Sequence, residues 1–345
     1  MVKRRTLGLA AFAGATLGGV ALCYLAERRL VTVGPPTGDP EWEELSIPPP
    51  VEERTVEGFD GTHLHVVEAG PPSAPVVVFV HGYAMSWRFW HYQVRDLADR
   101  FRVVAYDQRG HAASEPAASG DYSTRALARD LRTVIEATAG DTPALVVGHS
   151  LGGMTVMALA DEFPAFVADR LAGAVLTNTA ASKVIYRGLL HGLSGAVQAM
   201  RRLPRQPPRL WPLPGRVGTA DLSHLLTRQW SMTREASPAL VGFVEALTAG
   251  TPVDVVGGFG RVLATLDLEA ALDHLVVPTL VIVGAHDWLT PARQGHTLAE
   301  ALPDARVEEL ADCGHMPPLE VPEAFNALVR AHATRVFGNP ERGVA

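Results

Sequence analysis

From Val51 onward, apolar and polar positions fall into blocks that predict strands and helices taking turns. Val51–Val56 and Thr62–Glu68 flank the turn residues Phe59-Asp60-Gly61 and read as a hairpin. Val76–Val80 is an unbroken apolar run, as expected of a strand buried on both faces. Similar runs occupy Arg102–Tyr106, Ala144–Gly148, Gly173–Leu176, Thr279–Val283 and Arg306–Leu310. Between them the spacing of apolar residues predicts helices over Trp87–Arg100, Thr124–Thr138, Gly152–Glu162, Ala292–Ala301 and Glu323–Val336. Helices of this length between strands imply crossover connections. The expected fold is α/β: a mostly parallel, helix-flanked sheet within a domain over residues 51–337.

The alternation stops between Ala180 and about Leu275, where helical and Pro-rich segments run without a clear strand. This stretch, about 181–275, is expected to be an inserted helical cap over the C-terminal edge of the sheet. Lys183 to Arg234 carries nine basic residues against one acid, Asp221. A solvated helical face is the plain reading of that excess, and a surface facing a membrane or an anion is the alternative.

Residues 1–33 stand apart. Lys3, Arg4 and Arg5 precede Leu7–Ala26, which holds no charge, and Glu27-Arg28-Arg29 follows. Twenty such residues match the length of a membrane-crossing helix. Three readings compete: an uncleaved anchor, a cleaved export signal, and a peripheral helix. The anchor is preferred because no small-x-small cleavage site is well placed. With the basic cluster inside, the domain over residues 51–337 is expected on the extracytoplasmic side, the cytoplasmic face being the alternative. Gly34–Pro50, with prolines at both ends, reads as an extended linker, and residues 338–345 as a tail.

Composition narrows the function classes. The chain has 345 residues, 47% apolar, with a net charge of −7. A mildly acidic chain lacks the basic surface that general nucleic-acid binding requires. Cys23 and Cys313 form neither a readable disulfide framework nor a zinc-ligand pattern, so no zinc site is expected around them.

The chemistry concentrates in five places. Gly148-His149-Ser150-Leu151-Gly152-Gly153 joins an apolar strand to an amphipathic helix, with small residues at 148, 152 and 153. That spacing lets the chain turn abruptly and holds Ser150 exposed, with the N–H of Leu151 free to bind an oxyanion. His81-Gly82 follows the Val76–Val80 strand, and the N–H of Tyr83 can supply the second oxyanion donor, with His81 bracing the loop. Asp107-Gln108-Arg109-Gly110 reads as scaffold. A serine needs an imidazole to take its proton, and the imidazole needs a carboxylate to orient it. His315, in Gly314-His315 after the last strand, is the expected base, and Asp287, after Thr279–Val283, the expected acid. Asp312 is the runner-up acid, too close in sequence to reach the far ring nitrogen of His315. His149, His286 and His296 read as structural neighbours.

These motifs resemble the α/β-hydrolase superfamily, in its branch of small bacterial esterases, lipases and peroxidase-like hydrolases. The resemblance spans about Val51–Phe337 and rests on His81-Gly82, Asp107–Gly110, Gly148–Gly153, Asp287 and Gly314-His315. It implies an eight-stranded, mostly parallel sheet, no cofactor and an acyl-serine intermediate, with a small-molecule or lipid ester as substrate. The superfamily's epoxide hydrolases and haloalkane dehalogenases need a carboxylate nucleophile, and Ser150 stands in that place, which excludes an alkyl-enzyme ester. A perhydrolase, a C–C bond hydrolase, and thioester or amide hydrolysis remain open on the same triad. A catalytically inert ligand-binding member is the alternative of a different class.

Overall fold

The computed structural model describes residues 38–182, 231–233 and 235–338. The expected anchor at 1–33, most of the basic segment 183–234 and the tail lie outside the described residues. A single eight-stranded sheet organises the rest: β1 (Glu52–Glu57), β2 (His63–Ala69), β3 (Val76–Val80), β4 (Arg102–Tyr106), β5 (Ala144–His149), β6 (Leu171–Thr177), β7 (Thr279–Gly284) and β8 (Ala305–Leu310). The strand order is β1-β2-β4-β3-β5-β6-β7-β8. β1 and β2 pair antiparallel, β2 is antiparallel to β4, and every later pairing is parallel.

Side-chain alternation explains why β3 is apolar throughout. Val76, Val78 and Val80 join the core on one side of the sheet, and Val77 and Phe79 the core on the other. The first side is covered by α3 (Thr124–Ala139) and α4 (Leu151–Glu162), which pack on each other through residues such as Leu127, Leu131 and Met157. The second is covered by α2 (His91–Leu97) and α10 (Pro322–Phe337), with Trp90 and Phe325 fully buried between them. The expected helix over Trp87–Arg100 divides into a 3-10 turn, Trp87–Trp90, and α2, since Ser86 caps the turn through Arg88 N–H. α5 (Pro164–Arg170), α8 (Ala292–Ala301) and α9 (Pro317–Glu320) complete the flanking layer.

Among its described residues the cap is helical, as expected: α6 (Pro238–Ala249), α7 (Val253–Thr265) and a 3-10 turn at Glu269–His274, with one isolated bridge between Ser182 and Asp267. Phe259 and Val255 of α7 enter the first core, and Val241 and Val244 of α6 the second.

The linker expected over 34–50 requires a correction. Pro40–Ser46 is a short packed helix, α1, capped by Asp39, whose carboxylate accepts the N–H groups of Glu41 and Trp42. Leu45 is wholly buried, Trp42 lies 3.5 Å from the position a Cβ on Gly242 would take, and Glu41 bonds Ser237 at the start of α6. Proline and acid suit a first helical turn as well as a spacer. The partner that decides between them is almost 200 residues away.

Candidate active site

The strand order reverses at β3. β4 lies on one side of it and β5 on the other, which opens a crevice at the strands' C-terminal ends. The loops after β3, β5, β7 and β8 carry all the residues expected to act. Val80 pairs in register with Gly148, so the His81-Gly82 loop and the turn at Ser150 begin side by side.

Ser150 has φ 51° and ψ −114°, a conformation that side chains rarely adopt and that costs about 1–3 kcal/mol. Three hydrogen bonds hold it. Its N–H donates to Thr177 O at 2.9 Å, and its carbonyl accepts from Met154 N–H at 3.1 Å and Thr179 Oγ1 at 2.7 Å. Close approach explains the small residues around it. A Cβ on Gly152 would stand 2.0 Å from Val80 O, and one on Gly148 would stand 2.5 Å from Gly152 O. Although Ser150 sits at the N-cap of α4, its hydroxyl makes no capping bond, and the residue is partly exposed. The N–H groups of Leu151 and Tyr83 meet no acceptor among the described residues.

Asp287 and His315 are brought together. Nδ1 of His315 lies 2.7 Å from Oδ2 of Asp287, both residues being buried. The carboxylate has its other acceptor sites filled by Leu289 N–H at 2.7 Å, Thr290 N–H at 2.9 Å and the Thr290 hydroxyl at 2.7 Å. This contact assigns the proton to Nδ1 and leaves Nε2 as a lone-pair acceptor. Asp312, the runner-up acid, is exposed. His286 is also exposed, and His296 is partly exposed and bonded to Glu309.

The loop of His315 reaches the serine turn through His149. The His149 ring donates from Nε2 to His315 O at 2.7 Å, and the two rings lie 4.8 Å apart. Burial and the neighbouring His315 push the His149 pKa well down, so it stays neutral. A Cβ on Gly82 would stand 2.7 Å from His149 Nδ1 and 3.4 Å from Ser150 Cβ, which is why the loop after β3 needs glycine there.

His81 braces that loop as expected. Its Nδ1–H donates to Gly82 O at 2.8 Å and its Nε2 accepts Gln108 N–H at 2.9 Å. Burial keeps it neutral. Asp107 accepts Trp87 N–H at 2.8 Å, and buried Arg109 bonds Asp130 at 2.6 and 2.7 Å, so the Asp107–Gly110 turn is indeed scaffold. Tyr83 contributes more than a backbone donor: its hydroxyl donates to Val256 O of α7 at 2.8 Å, tying the loop to the cap.

Two residues escaped the sequence reading. Asn178 has φ 42° directly after β6, donates to Gly314 O at 2.7 Å and accepts Gly284 N–H at 2.8 Å. An asparagine ending an apolar strand was a signal for such a left-handed turn. Glu320 accepts N–H groups from Gly314, Met316 and Thr233, a role no local pattern announces.

The family described as alpha/beta hydrolase fold matches residues 75–322, and the chain belongs to that family. Among its relatives, epoxide hydrolase 1 of Caenorhabditis elegans is 37% identical over 120 residues, 32% of this chain and 30% of that protein. The pimeloyl-(acyl-carrier protein) methyl ester esterase of Nitrosomonas europaea is 29% identical over 269 residues, 76% of this chain and 96% of the other. The crystal structure of the enol-lactonase from Burkholderia xenovorans superposes with a TM-score of 0.61 at 27% identity, over 81% of this chain and 100% of that one. Fold and relatives together define a hydrolase.

Proposed function

We propose that the protein is a serine esterase that cleaves carboxylic esters, of small acyl compounds or lipids, through an acyl-serine intermediate. The observation that carries this reading is the buried Asp287–His315 contact of 2.7 Å, in a loop bonded to the residue before the strained Ser150 turn. Nε2 of His315 takes the Ser150 proton as Oγ attacks the ester carbonyl, while Asp287 stabilises the imidazolium. The N–H groups of Leu151 and Tyr83 receive the oxyanion of the tetrahedral intermediate. Collapse expels the alcohol, which takes its proton from His315. Water activated by the same imidazole then releases the acid and restores the serine.

The 120-residue likeness to an epoxide hydrolase does not carry that enzyme's chemistry here, because the place of a carboxylate nucleophile is held by Ser150. The esterase and enol-lactonase relatives support ester cleavage instead. No step calls for a metal, and chelators are expected to leave the rate unchanged.

The deciding experiment is fluorophosphonate labelling together with turnover of p-nitrophenyl esters of graded chain length. Wild-type protein is expected to be labelled at Ser150 and to cleave the esters. An unlabelled wild-type protein would favour an inert binding member of the fold.

A further inference from the structure

Every backbone polar group from Gly314 N–H to Met316 O is engaged, and the partners come from several parts of the molecule. Gly314 O accepts from Asn178 and His315 O from His149, which tie the loop to the ends of β6 and β5. Met316 O accepts the N–H groups of Leu319 and Glu320 within α9. The three N–H groups turn toward a carboxylate and a carbonyl. Glu320 Oε1 accepts Gly314 N–H at 3.1 Å and Met316 N–H at 2.9 Å, the residues on either side of His315. His315 N–H donates to Ser231 O at 3.1 Å, and the other Glu320 oxygen, Oε2, accepts Thr233 N–H at 2.8 Å. Residues 231–233 belong to the expected cap and precede its helix α6. They press so closely that a Cβ on Gly314 would stand 3.0 Å from the Met232 carbonyl carbon and 3.0 Å from Glu320 Oε1.

From this bridge we infer that Glu320 is a positioning residue that couples residues 231–233 of the cap to His315, a reading that rests on His315 being the base. One carboxylate holds the loop on both sides of the imidazole and grips the cap at the same time. A shift of residues 231–233 therefore loosens Glu320 Oε2 and the N–H of His315 together. Docked residues 231–233 and an aligned base become one state, so the base reaches the serine proton with that segment in place. Glu320 touches neither substrate nor reacting atoms and acts only through His315.

Glu320→Gln separates the two grips. The amide oxygen can keep the Gly314 and Met316 bonds made to Oε1, while its NH2 replaces Oε2, which accepts Thr233 N–H at 2.8 Å and shares Gly314 N–H at 3.2 Å, so the bond to the cap is the one set donor against donor. Glu320→Ala removes both. Active-site titration with a fluorophosphonate, run to completion, counts competent sites, and p-nitrophenyl ester kinetics then give turnover per titrated site. Expected are a fall in kcat per site of about tenfold for Glu320→Gln and about 10²-fold for Glu320→Ala, with KM unchanged, the scale of a catalytic group displaced by about an ångström. Thr233→Pro, which deletes the cap's donor, should add nothing to Glu320→Gln in the double variant. Unchanged turnover per site in Glu320→Ala, with loss only in the number of sites, would make the role purely structural and overturn the inference. Additive losses in the double variant would overturn the coupling to the cap. Full turnover by Ser150→Ala or His315→Ala would instead overturn the esterase reading itself, with Glu320 untouched.

Discussion

Two aspartates were candidates to orient His315, and their surroundings differ in kind. Asp287 is buried and receives two backbone N–H groups, a hydroxyl and the imidazole, whereas Asp312 is exposed. Asp287→Asn places an amide where the carboxylate oriented the ring, and turnover is expected to fall about 10⁴-fold, while Asp312→Asn leaves it near wild type. Ser150→Ala and His315→Ala are expected to lose about 10⁴–10⁶-fold, since such groups act as a unit. Steady-state ester hydrolysis reads all four, and the reverse ranking of the two asparagine variants would move the acid to Asp312. A second histidine–aspartate pair serves stability instead. His65 Nδ1 lies 2.9 Å from Asp107 Oδ2 and Nε2 lies 3.2 Å from Glu53 Oε2. The Asp107 hydrogen bond raises the His65 pKa above its ordinary 6.5, burial opposes it, and Glu53 adds to the rise. A raised histidine stabilises the fold fully below its unfolded pKa and loses that contribution as pH climbs through the folded value. The stability gap between wild type and His65→Gln, measured by denaturant unfolding, should therefore be widest below pH 6.5 and close at alkaline pH. A gap that is constant or widens with pH would refute the assignment.

At the scale of elements, the core strands were legible because β3 to β7 are covered on both faces, which leaves no polar alternation to confuse their ends. The serine turn was legible for a related reason. Small residues at 148, 152 and 153 record where backbone meets backbone, and contacts of 2.0 and 2.5 Å for an added Cβ state that requirement in space. What stayed hidden was non-local. Glu320 matters because main-chain donors from residues 233, 314 and 316 converge on it, and main-chain donors leave no mark in a sequence. α1 stayed hidden because its acids and proline suit a spacer equally, until Leu45 meets the core and Arg88 donates to Leu45 O at 2.6 Å. Its packing makes a test. Leu45→Ala removes a fully buried side chain, and a loss of about 2–5 kcal/mol is expected where α1 unfolds with the domain. Trimming the chain before Asp39 should leave the thermal midpoint unchanged, whereas trimming it after Pro50 should lower it. Equal midpoints would return residues 40–46 to the role of spacer.

For the whole molecule, α1 changes how the N-terminal segment would hold the enzyme at a membrane. Among the described residues no helix is long and apolar enough to cross one, and Leu7–Ala26 lies outside them. The anchor is thus a proposal that rests on the uncharged run itself and the basic residues before it. With Pro40–Ser46 packed against α6, the stretch between the uncharged run and the first packed element shortens from residues 27–50 to residues 27–38. Those twelve residues reach at most about 40 Å when fully extended. The tether also leaves the domain beside a cap helix rather than at the far end of the sheet, since Glu41 and Trp42 meet Ser237 and Gly242. Anchoring would then keep the described cap helices on the bilayer side, and the proposal is that the basic residues of 183–234 would there attract anionic head groups, each charge near the surface contributing about 1 kcal/mol. The expected outcome is that full-length protein sediments with membranes and is released by detergent but not by salt. Protein lacking residues 1–33 should be recovered soluble, with its ester turnover intact and α1 still docked. That shortened protein should also bind vesicles of anionic lipid better than neutral ones at low salt, and lose the preference as salt rises. Recovery of the full-length chain in the soluble fraction without detergent would remove the anchor. Equal binding to anionic and neutral vesicles would remove the electrostatic contact of the cap and leave the tether to act alone.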